Sequence, residues 1–243
     1  MTLSKSILFV SDLHLDKNHP EITQKFLQLL SDIKPPVDAL YILGDLFESW
    51  IGDDCEIPWH NDVVTALRNV TERGVPIYYL HGNRDFLLRK QFMQATGSHL
   101  LPDETRLDIY GEPVLIMHGD LLCTRDVGYL KSRKIIRNEN YLRMFLLLPK
   151  FIREKVAVYL RNKSRKHTSR TAYEIMDVTQ DEVARVMEKN NVACLIHGHT
   201  HKPGRHKFQL QQQPAERIVL GAWHERGNML ICYPSGEKQW MEW

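Results

Sequence analysis

With 243 residues, 43% of them hydrophobic and 26% charged, the chain is long enough to bury a sizeable core, and its composition excludes the disordered, collagenous and low-complexity classes. Four cysteines without paired spacing exclude a disulfide framework and a zinc ribbon. The sequence shows neither a signal-peptide core nor a run of about 18 apolar residues, so a reduced, cytosolic compartment is expected. The net charge of +2 hides an asymmetry: residues 125–170 hold 14 Lys/Arg against three acids, leaving 18 against 27 elsewhere. That distribution predicts a basic segment facing an anionic partner, carried on an acidic body.

In chain order, the apolar run 7–10 (ILFV) predicts a strand and ends in Ser11-Asp12-Leu13-His14. A helix is predicted over 21–33, where Phe26, Leu27, Leu30 and Ile33 recur at helical spacing. The run 39–43 (ALYIL) leads into Gly44-Asp45, and a second helix over 61–74 carries Val63, Val64, Leu67 and Val70, with Gly74 as its C-terminal stop. The run 76–80 (PIYYL) precedes His81-Gly82-Asn83-Arg84-Asp85, and 113–117 (PVLIM) precedes His118-Gly119-Asp120. A further helix over 181–190 places Val183, Val186 and Met187 on one face. The run 193–196 (ACLI) then opens into His197-Gly198-His199-Thr200-His201, and 217–223 (RIVLGAW) is a sixth strand. Residues 209–217 read as a polar loop, and 220–243 as a β-meander with turns at 225–228 and 234–237. These runs are continuous rather than alternating, as in strands buried on both faces, and their alternation with helices predicts an α/β fold.

Residues 141–170 interrupt that rhythm. They mix Leu142, Met144, Phe145, Leu146, Leu147, Leu148, Phe151 and Ile152 with dense positive charge, and Pro149 divides them into two helices. The expectation is a single domain over 1–243 with a helical insertion at 125–172 lying over the strand ends. Apolar residues in excess of one packed stripe, beside a cationic face, fit an anionic bilayer and acyl chains. Nucleic acid would favour stacking aromatics over this aliphatic stretch, so no nucleic-acid partner is expected.

Five of the apolar runs end in Asp, Asn or His, and sites in α/β folds form beyond the carboxyl ends of strands. Each cluster alone is weak evidence, since a single Asp or His after a strand is usually a loop or capping residue. Five in register converge on one place. A mixture of imidazole, carboxylate and amide oxygen without thiolate suits Mn²⁺, Fe²⁺ or Zn²⁺, and the number of ligands suits two ions.

The order D-x-H, G-D, G-N, H-G, G-H-x-H at Asp12/His14, Gly44-Asp45, Gly82-Asn83, His118-Gly119 and Gly198-His199-Thr200-His201 resembles the calcineurin-like metallophosphoesterase family. The resemblance spans residues 12–201 and implies a sandwich of mixed β-sheets flanked by helices. It further implies that Asp12, His14, Asp45 and His201 hold one ion, and that Asn83, His118 and His199 complete a second, with Asp45 bridging. His81 and His197 fall outside the motif and read as supporting residues. Two such ions lower the pKa of a shared water to give hydroxide and stabilise an in-line displacement.

Many family members carry His after G-N, where this chain has Arg84. An arginine is a phosphate clamp and not a useful acid, which favours a phosphoanhydride whose leaving group is itself a phosphate with a second pKa of about 6. The segments GDLFESWIGDD, HGNRDFLL, MHGDLLCT, IMDVTQ, HGHTHKP and VLGAWH are similar to one branch of the family, the UDP-2,3-diacylglucosamine pyrophosphatases of lipid A biosynthesis in Gram-negative bacteria. That similarity implies two Mn²⁺ ions per chain and hydrolysis at the α-phosphorus to UMP and lipid X. It also implies a peripheral position on the cytoplasmic face of the inner membrane; no protein partner is evident. It carries substrate contacts onto Asn83, Arg84, Asp126, Ser164 and His199. Two more fall at Thr168 and Thr171, where the chain departs from the family pattern, leaving Arg161 or Arg170 to supply a phosphate contact. The competing readings are another metal-dependent phosphodiesterase or nuclease on the same fold, and a scaffold that has lost its metals. Arg84 and the apolar insertion weigh against the nuclease. The filled set of seven ligand positions weighs against the scaffold.

Overall fold

Alternate side chains of the apolar runs enter two different cores, and this builds the molecule in layers. The computed structural model describes residues 4–55, 58–170, 175, 177–224 and 227–242, the side chains of 58–59 and 163–170 excepted. In the first sheet, β1 (Ser6–Val10), β2 (Val37–Ile42), β3 (Ile77–Tyr79) and β4 (His99–Leu100) are parallel neighbours in that order. The second contains β5 (Glu104–Ile109), β6 (Glu112–Met117), β7 (Cys194–His197), β8 (Gly204–Leu210) and β9 (Gln213–Val219), in the order β5-β6-β7-β9-β8, with β6, β7 and β9 parallel. The antiparallel strands β10 (Asn228–Cys232) and β11 (Lys238–Glu242) return to the first sheet beside β1.

Ile7 and Phe9 of β1 meet Val114 and Ile116 of β6 and Ile196 of β7 between the sheets. Leu8 and Val10 face the other way, into a core shared with α1 (Pro20–Asp32), α2 (Pro58–Glu72) and α3 (Lys90–Thr96). On the outer face of the second sheet, Leu115, Met117 and Leu195 pack on Val183, Val186 and Met187 of α7 (Gln180–Lys189). Each fully buried aliphatic contributes roughly 1.5–3 kcal/mol, so both faces of the central strands are occupied by strong packing. This is the expected α/β sandwich of two mixed sheets flanked by helices. The four cysteines are unpaired. Among the described residues no helix is long and apolar enough to cross a membrane.

Two expectations are corrected. Residues 209–217 are not a loop but the β8–β9 hairpin, turning through Gln211 (φ 48°) and Gln212 (φ 64°). β8 is an edge strand with a largely exposed face, so it lacks the apolar run that marks a buried strand. The C-terminal segment is not a three-stranded meander either. β9 ends in the second sheet and the chain crosses to the first before β10, because Leu220 belongs to the inter-sheet core and Trp223 packs edge-on against Phe26 at 5.8 Å. Only β10 and β11 pair as a hairpin, turning at 234–237 where Gly236 has φ 83°. Residues 225–226 of the other expected turn lie outside the described residues.

Residues 125–170 form α4 (Val127–Ile136), α5 (Glu139–Leu146) and α6 (Lys150–Arg170), with the break at Pro149. Leu142 is buried and Phe145 and Leu146 lean on the first core, but arginines make much of the attachment. Arg133 donates to Asp120 (2.6 Å) and Asp103 (2.7 Å), Arg137 to Gly82 O (2.7 Å), and Arg153 to Ile51 O (2.7 Å) and Asp54 (2.8 Å). Other apolar side chains of the segment turn outward: Leu147 is 85% exposed, Met144 66% and Phe151 61%.

Candidate metal centre

The turns after β1, β2, β3, β6 and β7 meet at one end of the sandwich, and their backbones are stitched together before any side chain acts. His14 N–H donates to Asp45 O (2.9 Å), Asp12 N–H to Gly44 O (3.1 Å), and Gly198 N–H to His118 O (2.8 Å). The approach is close enough that a Cβ on Gly82 would lie 2.0 Å from Asp45 Oδ1, and one on Gly198 would lie 2.2 Å from Asp12 Oδ2. The glycines of the G-D, G-N and G-H motifs are therefore needed for proximity. Asp12, His14, Asp45, His199 and His201 all have φ between 51° and 69°. Left-handed backbone at non-glycine residues costs energy and collects where function requires a side chain to be aimed.

The seven predicted ligands come together as two sets of donor atoms. In the first, His14 Nε2 lies 3.2 Å from His201 Nε2, 3.9 Å from Asp12 Oδ1 and 3.9 Å from Asp45 Oδ2, and His201 Nε2 is 3.4 Å from Asp12 Oδ1. In the second, Asn83 Oδ1 is 3.0 Å from both His118 Nε2 and His199 Nδ1, which are 3.3 Å apart. Asp45 Oδ2 belongs to both, at 3.7 Å from His118 Nε2. Its other oxygen is taken up by the Arg84 N–H (2.8 Å), which leaves Oδ2 to face the two sets.

These residues fit a pair of divalent ions. Ligands about 2.1 Å from a metal stand roughly 3.0–3.4 Å from one another, close to the spacings seen. His118 Nδ1–H donates to Leu43 O (2.9 Å), so its neutral ring presents a lone pair at Nε2 towards the acceptor Asn83 Oδ1. His14 Nδ1 lies 3.1 Å from Glu48 Oε2, which likewise turns the lone pair of Nε2 inward. Asp12 Oδ1 is buried and makes no hydrogen bond among the described residues. Lone pairs facing lone pairs call for a cation. The charges agree: burial opposes protonation of His118, yet Asp45 and Asp12 outweigh it and raise its pKa. Burial pushes the Asp12 carboxyl up, but His201 and His118 hold it well below the usual carboxylate range. Burial and then the charge of His118 lower His199 to about 4.

Around the centre, His197 is held between Gly198 O (2.8 Å) and Arg217 (3.1 Å), and burial with the Arg217 charge lowers it to about 3. His81 Nε2 bonds Leu88 O at 2.6 Å. Both support the site rather than face it. Arg84 reaches Glu48 Oε1 (3.2 Å), with Nε 3.9 Å from Asp45 Oδ2, and Arg161 of α6 donates to the same Glu48 oxygen. Asp126 caps α4 through Tyr129 N–H (2.9 Å). Side chains of Ser164 and Thr168, and Thr171 altogether, lie outside the described residues.

Two contributors carry no clear mark in the sequence. Glu48 is one acid in an acidic loop, and only the fold brings it to His14, Arg84 and Arg161. Asp85 follows the G-N-R motif and invites pairing with Arg84, but it turns inward. There it accepts from Gly82 N–H (3.0 Å), Leu46 N–H (2.7 Å) and the Tyr79 hydroxyl, tying the turn that bears Asp45 to the turn that bears Asn83. Burial, then the Asp45 charge, raise its pKa.

The model of the calcineurin-like phosphoesterase family matches residues 5–203. The chain is 49% identical over 227 residues to a UDP-2,3-diacylglucosamine hydrolase of Klebsiella pneumoniae subsp. pneumoniae, covering 93% of this chain and 95% of that protein. It is 51% identical over 221 residues to a protein of the same name from Pseudomonas fluorescens, covering 91% and 89%. Among solved structures, a novel archaeal phosphodiesterase aligns with 98% of this chain and 99% of its own, at a TM-score of 0.50 and 13% identity, a likeness of fold alone.

Proposed function

Because the chain belongs to the calcineurin-like phosphoesterase family, we propose that it hydrolyses the pyrophosphate bond of UDP-2,3-diacylglucosamine at the α-phosphorus. The products are UMP and 2,3-diacylglucosamine 1-phosphate (lipid X), an intermediate of lipid A biosynthesis. The observation that carries the reading is the pair of donor sets joined at Asp45 Oδ2, with Arg84 in place of the acid that follows G-N in many family members and Arg161 beside it on Glu48. The names of relatives about half identical over nearly the whole chain support the substrate.

Two Mn²⁺ ions, one on Asp12, His14, Asp45 and His201 and one on Asp45, Asn83, His118 and His199, would supply an activated water and neutralise charge on the phosphoryl oxygens. Arg84 and Arg161 orient the pyrophosphate, and guanidinium forks suit its oxygens. The leaving group is a phosphate and needs no proton donor, so arginine serves where a histidine would be required for an alkoxide. Glu48 and Leu43 O fix the rings of His14 and His118 with the correct nitrogen inward. The outward apolar side chains of α5 and α6, among basic residues, hold the protein at the cytoplasmic face of the inner membrane and receive the acyl chains.

The test is turnover of UDP-2,3-diacylglucosamine in detergent by the purified protein, in ¹⁸O-labelled water, with Mn²⁺ or with chelator. The expected result is UMP and lipid 1-phosphate only with metal, the label residing in UMP. Label in the lipid phosphate, release of UDP, or preferential cleavage of nucleic-acid phosphodiesters would overturn the assignment.

A further inference from the structure

Glu48 stands where three basic side chains converge. Oε2 lies 3.1 Å from His14 Nδ1, Oε1 accepts from Arg84 at 3.2 Å, and Arg161 donates to Oε1 and to the Glu48 carbonyl. Holding His14 requires one oxygen and no arginine. Two guanidiniums share the other oxygen, and the nearer one also places its Nε 3.9 Å from the metal-facing Oδ2 of Asp45. That buried Nε makes no hydrogen bond among the described residues. Neither guanidinium is sealed in, since the Arg84 and Arg161 side chains are 26% and 17% exposed. Eight residues before Arg161, about 2.2 helical turns, Arg153 is buried and fastened to Ile51 O and Asp54, so the helix is anchored independently of the Arg161 tip.

We infer that Glu48 is a stand-in anion. It occupies the Arg84 and Arg161 guanidiniums in the free protein and yields them to the phosphate oxygens of the entering ligand, while its other oxygen stays on His14. A phosphate offers several acceptors to two donor forks where the carboxylate offers one oxygen, so the exchange runs towards the ligand. The cost of breaking the internal pairs weakens binding of any single phosphate, product included. The inference rests on reading these arginines as a phosphate clamp, and it makes Glu48 a positioning residue.

Calorimetric titration of inorganic phosphate into the Mn²⁺-loaded full chain tests it without the lipid nucleotide. Glu48→Gln keeps an oxygen for His14 Nδ1–H and removes the competing charge. With metal content verified, it should tighten phosphate Kd by about tenfold, and the gain should vanish in an Arg84→Ala/Arg161→Ala background. Unchanged or weaker binding by the metal-replete variant overturns the inference. A crystal structure of the wild-type holoprotein with phosphate decides independently of any variant: guanidiniums transferred to phosphate support the exchange, and both still on Glu48 beside bound phosphate refute it. Failure here leaves the substrate assignment standing. A tenfold gain without lipid-nucleotide turnover would sink the assignment and leave the exchange.

Discussion

Twelve histidines are spread along the chain, and the sequence distinguishes them only where spacing makes a motif. D-x-H, H-G and G-H-x-H picked out His14, His118, His199 and His201, and the structure aims a ring nitrogen of each into one centre. His81 and His197 border those motifs and read as supporting residues, in keeping with their bonds to backbone carbonyls. His60 carried no signal, because its surroundings assemble only in the fold: Phe47 and Trp50 flank its ring at 4.7 and 4.8 Å between centroids. Burial lowers its pKa from 6.5 to about 4. Between those values the unfolded chain binds a proton that the folded one refuses, so stability falls as pH drops from about 6.5 to about 4 and the loss levels off below. A shift of that size corresponds to roughly 3 kcal/mol. Urea unfolding in chelator at pH 7 and pH 4.5 should show the acid-induced loss reduced by a large part of that amount in His60→Phe. Equal acid sensitivity in variant and wild type would remove His60 from the account.

At the scale of elements, strands buried on both faces announced themselves, whereas β5 and β8, the edges of the second sheet, did not. The run at 7–10 became β1 with every residue buried, whereas β5 and β8 are largely half-buried or exposed and left no continuous run to find. The helices of 125–170 were legible in their break at Pro149 and in their surplus of apolar residues. Their attachment was not, since nothing in the sequence pairs Arg153 with Asp54 or Arg133 with Asp120. Fastening by arginine leaves the apolar side chains of α5 and α6 free to face outward. Met144, Leu147 and Phe151 are each more than 60% exposed, so replacing all three with Ser should change folding stability by no more than about 0.5 kcal/mol per site. Turnover of the diacylated substrate should fall at least about tenfold, while a deacylated analogue is processed as before. Equal losses on both substrates would mean that these residues serve the fold and not the lipid.

For the whole molecule, the apolar runs indicated that five strand ends share a site and the family resemblance implied a sandwich, but how those ends divide between the two sheets was not legible. The first donor set takes Asp12, His14 and Asp45 from turns of the first sheet and His201 from the second. The other takes Asp45 and Asn83 from the first and His118 and His199 from the second. A cation in either set would cross-link the two sheets at the end where His199 N–H already bonds Asp12 Oδ2 (2.8 Å) and His118 Nδ1–H bonds Leu43 O (2.9 Å). Metal binding is thereby coupled to the stability of the sandwich as a whole. Free Mn²⁺ at about 100 times its Kd stabilises a folded state that alone binds it by roughly 2.7 kcal/mol. For a chain of this length that raises Tm by roughly 5–10 °C. Thermal unfolding with Mn²⁺ and with chelator measures the shift directly. Asp45→Asn keeps an oxygen for the Arg84 N–H and weakens the one carboxylate common to both sets, so it should lose most of the shift while unfolding in chelator near the wild-type temperature. A metal-induced rise as large in Asp45→Asn as in the wild type would show that the stabilising ion sits elsewhere, and the two sheets would then be held by their packing and the direct hydrogen bonds between them.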